Sequence, residues 1–258
     1  MSLLIKNFSA GYSKKKVIEE ISFKVKKNEW IGIIGSNGSG KSTLLKGILK
    51  FIPTLSGDVS FEEKSLKNLS RKNLSRLIAY LPQKLNNNLN ITVKDLISLG
   101  RSPYKNFWDF NFNERDLNVI DDALEIMDLN ELQNKFINEL SGGQSQRAFL
   151  AMIIAQNSKV LLLDEPTTFL DINYQIKLLE SLRKLLQIKN ISIITVLHDI
   201  NLAARFCDRI AILKEGRLVD INTPKKVLNI ENFKIGFEIN SHIINTPVGL
   251  QVIPDRKI

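Results

Sequence analysis

The hydrophobic pattern separates two kinds of segment. Continuous apolar runs rich in Val, Ile and Leu occur at Trp30–Ile34, 160–163 and 191–197, and such runs predict parallel strands covered on both faces. Between the first two, apolar residues recur at helical spacing over 66–78, 93–99, 113–129 and 141–156. That spacing predicts four helices, with Asn113 and Ser141 as N-caps. Residues 1–30 and 59–63 read as antiparallel strand material. Ala211-Ile212-Leu213 and Leu218-Val219 flank Glu215-Gly216, which predicts a hairpin turn. After Thr223 the chain carries Pro224, Pro247 and Pro254 and shows little periodicity.

Charge adds an asymmetry. The net charge of the 258 residues is +9, yet the first hundred hold 17 Lys and Arg against 7 Asp and Glu. Residues 101–140 reverse this, with 9 acidic and 4 basic side chains. A basic N-terminal region would suit nucleic acid, phosphates or an anionic membrane surface. Lys64, Lys67, Arg71, Lys72 and Arg76 are expected to supply charge toward a cytoplasmic lipid leaflet. A triplet at Lys14-Lys15-Lys16 reads as a solvated turn.

Several classes drop out. No apolar run approaches the roughly 18–20 residues of a membrane-spanning helix. Leu3-Leu4-Ile5 is far too short for the core of a signal peptide. One cysteine, Cys207, excludes an internal disulfide and fits a reducing compartment. A soluble cytosolic protein is expected.

Directly after the first apolar run comes Gly35-Ser36-Asn37-Gly38-Ser39-Gly40-Lys41-Ser42-Thr43, followed by a helical segment. This is G-x-x-x-x-G-K-[ST] in its strand–loop–helix context. Glycines let backbone N–H groups curl around phosphate oxygens, and the helix start adds its positive dipole end. Lys41 is expected to reach the β- and γ-phosphates of ATP and the Ser42 hydroxyl to ligate Mg²⁺. The 160–163 run ends in Asp164-Glu165-Pro166. Asp164 suits a Mg²⁺ carboxylate and Glu165 a base for the attacking water, although strand ends also carry acids simply because they meet solvent.

Leu140-Ser141-Gly142-Gly143-Gln144, followed by Gln146-Arg147-Ala148, opens another helix with a serine cap and two glycines. It constitutes a second anion site. If the two sites lie on different lobes, a head-to-tail dimer lets one subunit's phosphate loop meet the other's Ser141 helix.

With these motifs in order, the chain resembles the ATPase subunit of ABC (ATP-binding cassette) transporters over nearly its whole length. The resemblance implies an α/β P-loop cassette: a mixed, mainly parallel core sheet, an N-terminal antiparallel β part and an inserted helical subdomain. Residues 1–83 and 158–223 would form the ATP-binding core, about 84–157 the helical subdomain and 224–258 a C-terminal extension. It further implies that Tyr12 stacks on adenine and that Gln83 meets Mg²⁺, the attacking water and the membrane subunit. Asp171, in Thr167-Thr168-Phe169-Leu170-Asp171, would cross the dimer interface beside Ser141, Gly142, Gly143 and Gln144, and His198 would contact the γ-phosphate. Two positions depart from the family pattern. Ser36 stands in place of a proline, without consequence for phosphate binding, and Ser145 is expected to alter at most an exposed contact.

Gly100-Arg101-Ser102-Pro103-Tyr104 and the 198–205 stretch look like those of ATPases for iron–siderophore, haem and cobalamin importers, though the former also reads as a Gly/Pro turn. The implied role is an importer ATPase on the cytoplasmic face of the membrane. Its partners would be a second copy, integral-membrane permease subunits and, through them, a substrate-binding protein, with no nucleic acid expected. Another transporter class, or a cassette ATPase of iron–sulfur assembly or nucleic acid, is the alternative.

Overall fold

A computed structural model describes residues 2–12, 15–105, 111–168 and 170–257. Lys14 and Phe169 lie outside the described residues. The chain divides into two compact units, one comprising residues up to Leu69 and from Ser192 onward, the other Ser70–Ile191.

The first unit begins with β1 (Leu3–Tyr12), β2 (Lys15–Val25), β3 (Trp30–Ile34), α1 (Lys41–Ile48), β4 (Thr54–Phe61) and the short β5 (Lys64–Ser65). Strands β2-β1-β4-β5 form an antiparallel sheet, and along β2 burial alternates from Ile21 to Val25, as in a strand with one face turned inward. Pairing places Ile5 opposite both Phe23 and Val59, all three buried.

The second unit holds α2 (Arg71–Leu77), β6 (Ile78–Leu81), α3 (Val93–Leu99), α4 (Glu114–Ile126), α5 (Gly142–Ala155), β7 (Val160–Asp164) and α6 (Ile172–Lys189). Strands β6 and β7 pair in parallel, Ile78 opposite Val160. Helix starts follow local chemistry: Ser70, Thr92, Asn113, Ser141 and Asp171 each accept a backbone N–H of the first turn. Two differences from the sequence pattern stand out. The 66–78 helix is instead a 3₁₀ turn (Leu66–Asn68), a two-turn α2 and then a strand, because Ile78 leaves the helix to join β7. Helix α6, absent from the expectation, buries Leu178, Leu179, Leu182, Leu185 and Leu186 at helical spacing.

The first unit resumes with β8 (Ser192–Val196), α7 (Ile200–Phe206), β9 (Arg209–Lys214), β10 (Arg217–Asn222), α8 (Pro224–Val227), α9 (Ile230–Phe237), β11 (Ile239–Thr246) and β12 (Gly249–Lys257). Strand β3 lies between β8 and β9, parallel to both, and β10 pairs antiparallel to β9 through the Glu215-Gly216 turn. The indole N–H of fully buried Trp30 donates to Thr195 Oγ1 at 3.0 Å. The segment after Thr223 is ordered despite its weak periodicity: Phe233 is buried and stacks on Phe237, and β11 and β12 form a hairpin.

Part of the basic excess is engaged internally. Lys50 Nζ donates to the carbonyls of Leu66, Lys67 and Leu69. Lys72 Nζ and Arg76 Nε donate to the carbonyls of Lys105 and Pro103, and Lys67 faces Asp58 at 3.9 Å. Those cations are therefore anchored by the protein itself, which leaves less of the charge for an external surface than the count suggests.

Candidate nucleotide site

In the first unit, residues 35–40 link the buried strand β3 to α1. Gly35 sits at φ +154°, and a Cβ there would stand 2.2 Å from Leu213 O, so this turn excludes any side chain. Gly216 N donates to Ser39 O at 3.0 Å, tying the loop to the β9–β10 turn. Lys41, buried, crosses the loop with Nζ 2.9 Å from both Gly35 O and Ser36 O. Ser39 Oγ is buried without a hydrogen-bond partner among the described residues. An orphaned hydroxyl beside a buried ammonium fits an anionic ligand, since a buried polar atom otherwise carries a desolvation cost. Ser36, Asn37 and Gly38 are exposed at the loop's tip, and Ser42 and Thr43 are half-buried in the first turn of α1. Tyr12 ends β1 and is 49 % exposed, and His198 is exposed between β8 and α7.

In the second unit, β7 delivers Asp164 and Glu165, 2 % and 7 % exposed. Glu165 adopts φ +55°, a left-handed conformation that costs a non-glycine residue on the order of 1 kcal/mol. Gln83 Nε2 donates to Glu165 Oε2 at 2.6 Å, and Thr168 Oγ1 donates to the same oxygen at 3.3 Å. Tyr80 OH donates to Asp164 Oδ2 at 3.3 Å. Two residues from separate motifs, Gln83 and Glu165, thus meet. The contacts of Tyr80 and Thr168 carry no signal in the sequence beyond their closeness to those motifs.

Ser141 caps α5 through a reciprocal box: its Oγ accepts from Gln144 N at 3.3 Å, and Gln144 Oε1 accepts from Ser141 N at 3.0 Å. Gly142 is open, with nothing within 4 Å of a Cβ placed there. Ser145 corrects its expectation. It is fully buried, and its Oγ donates to Asn87 Oδ1 at 2.8 Å. Position 145 points inward on α5, so a polar side chain there needs an internal partner. Asp171, exposed, accepts from Tyr174 N at 3.0 Å and so starts α6. The turn at 100–104 is built around charge: Arg101 Nε meets Asp116 Oδ1 at 2.9 Å, Lys105 Nζ meets Oδ2 at 2.7 Å, and Arg101 Nη1 donates to Ala155 O.

The ABC transporter family model matches residues 18–168. The chain belongs to the ABC transporter family. It is 38% identical over 232 residues to the petrobactin import ATP-binding protein FpuC of Bacillus anthracis, covering 89% of this chain and 85% of that protein. It is 34% identical over 238 residues to the ferric enterobactin transport ATP-binding protein FepC of Escherichia coli, covering 92% and 88%. Among solved structures, the dimeric ATP-binding cassette MJ0796 bound to ADP and Pi superposes with a TM-score of 0.73. It is 28% identical and covers 86% of this chain and 98% of that one. The fold is the P-loop cassette, and the protein is an ABC-type ATPase that binds ATP. Among the described residues no helix is long and apolar enough to cross a membrane.

Proposed function

We propose that this ATPase powers an importer of iron–siderophore complexes or related metal chelates, working as a head-to-tail dimer beneath membrane permease subunits on their cytoplasmic side. The functions named for its relatives support the cargo class, and the dimeric cassette supports the assembly. Tyr12 packs against adenine, residues 35–43 surround the phosphates, and Lys41 turns its ammonium toward the β- and γ-oxygens. Ser141, Gly142, Gly143, Gln144 and Asp171 reach the nucleotide held by the partner copy. Because Gln144 already closes the cap of α5 with its side chain, its share is through the helix start.

Ser42, Gln83 and Asp164 would hold Mg²⁺; they make an all-oxygen donor set of hydroxyl, amide and carboxylate, the kind this ion takes. When bound, the ion neutralises charge on the transferring phosphoryl group. The 2.6 Å bond from Gln83 to Glu165 carries the catalytic reading. It gives the carboxylate a fixed direction, and Glu165 takes the proton of the attacking water as Gln83 and His198 orient water and γ-phosphate. A buried carboxylate in a left-handed turn is held, not mobile, so its aim is set before the dimer closes.

Glu165→Gln tests the base. ATP affinity is expected to stay within about threefold while steady-state turnover falls on the order of 10²–10⁴. Unchanged turnover in a titrated, pure sample would end the assignment. Cargo class is read separately, by uptake of labelled ferric siderophore, haem and cobalamin in cells carrying the intact transporter.

A further inference from the structure

Asn201 has no part in the site as described, although it lies in the 198–205 stretch that carries part of the family resemblance. It occupies the second position of α7, and its carboxamide faces β12. Nδ2 donates to Val252 O at 3.3 Å, and Oδ1 accepts from Val252 N at 2.8 Å. Val252 is paired with Ile243 across the hairpin and is buried. In an antiparallel ladder the N–H and C=O of one residue point to the same side. Both groups of Val252 point at Asn201, so one side chain stands where the next strand of the sheet would be.

The other side of α7 rests on β3. A Cβ at Gly32 would stand 2.8 Å from Cys207 Sγ, and the rings of Trp30 and Phe206 lie 6.4 Å apart. Helix α7 is therefore gripped between β3 and the C-terminal hairpin. At its start, Leu197 N donates to Ile33 O at 3.1 Å, and Asp199 Oδ1 accepts from Asn201 N at 2.7 Å and Leu202 N at 3.0 Å. His198 stands between those two anchors. A seven-residue helix has little rigidity of its own, so the grip on it sets where His198 sits.

We infer that Asn201 is a positioning residue: by clasping the edge of β12 it fixes α7 and holds His198 in place for hydrolysis, which makes the C-terminal hairpin a working part of the ATPase. This rests on the reading of His198 as a γ-phosphate contact. Residues 249–257 then act on turnover without touching nucleotide.

The test uses the full chain and MgATP. Asn201→Ala removes both bonds; kcat is expected to fall about tenfold, KM for ATP to move less than about twofold, and exchange at the Val252 amide to accelerate. Asn201→Asp keeps the acceptor for Val252 N–H, and its kcat is expected within about threefold of wild type. In a His198→Ala background, Asn201→Ala should lower kcat by less than about twofold further, because the clasp acts through His198. Accelerated Val252 exchange with wild-type kcat overturns the inference, and so does a full additional loss on top of His198→Ala. If His198→Ala hydrolyses ATP normally, the role of His198 falls and the inference with it; if only Asn201→Ala is silent, the inference alone falls. Should the alanine variant fail to fold, Asn201→Asp decides. A modest kcat loss at constant KM supports the clasp, and wild-type kcat with accelerated exchange overturns it.

Discussion

Gly35 and Gly142 both belong to glycine-rich segments at the start of a helix, yet their surroundings differ. Around Gly35 the first unit closes in: Leu213 O lies where a side chain would go, Ser39 O is bonded to Gly216 N, and Lys41 is buried across the loop. Around Gly142 the space is empty, and the second unit supports the segment from within. The Ser141–Gln144 box closes the helix on itself, Ser145 is pinned to Asn87, and Arg101 holds Ala155 O at the far end of α5. One glycine is dictated by the interior of its own unit. The other keeps a surface clear, as the proposed contact with a partner's nucleotide requires.

The largest loss of stability is expected at the support behind the open surface. Asp116→Asn leaves Arg101, buried, without its counter-charge, and breaking a buried pair this way costs about 3–5 kcal/mol. Urea unfolding would show it as a lower midpoint; an unchanged midpoint would mean that α5 does not depend on the 101–116 pair. The pair also has an acid signature. Burial pushes the Asp116 carboxyl up, but hydrogen bonds from Lys105 and Arg101 and their charges outweigh it and hold the group below its ordinary value of 3.8. A carboxyl lowered by folding adds stability above its unfolded value, and that addition is lost as the pH falls through the folded value. Wild type should thus shed this increment only in acid, while Asp116→Asn lacks it at every pH.

Next comes the crowded glycine. Gly35→Ala sets a methyl against Leu213 O in a conformation that L-residues avoid, and about 2–3 kcal/mol of stability should go. ATP hydrolysis should go too, since the loop must shift to admit the methyl. Retained nucleotide affinity, by fluorescent-nucleotide titration, would show that the loop is not set by its own unit.

How far the sequence foretold all this depended on whether a feature was local. The phosphate loop, the Asn113 and Ser141 caps and the Glu215-Gly216 turn are decided by a few adjacent residues, and each is where the pattern put it. Ile78 reads as the end of a helix over 66–78, because what makes Ile78–Leu81 a strand is Val160, 82 positions away, with which Ile78 pairs. Helix α6 has both an Asp171 cap and leucines at helical spacing, two local signals that the sequence carries in full. Ser145 looks exposed only if α5 is read without Asn87 opposite it. The Gln83–Glu165 and Asn201–Val252 contacts join residues 82 and 51 positions apart, distances across which spacing says nothing.

The smallest effect on stability separates the two glycines most sharply. Gly142 begins α5 with no positive φ and no neighbour to meet. Gly142→Ala should therefore stabilise the fold by about 0.4–1 kcal/mol, as the unfolded chain loses freedom that the helix never used. The same methyl occupies the space proposed for a partner's γ-phosphate and would hold it off the backbone N–H groups, so turnover should fall on the order of a hundredfold, as when an oxyanion loses a donor. Rising unfolding midpoint with falling kcat, at unchanged ATP affinity of the single subunit, is the expected pair of readings. Normal turnover would mean that the open surface at Gly142 meets no nucleotide, and the contrast with Gly35 would reduce to one between a packed turn and a bare one.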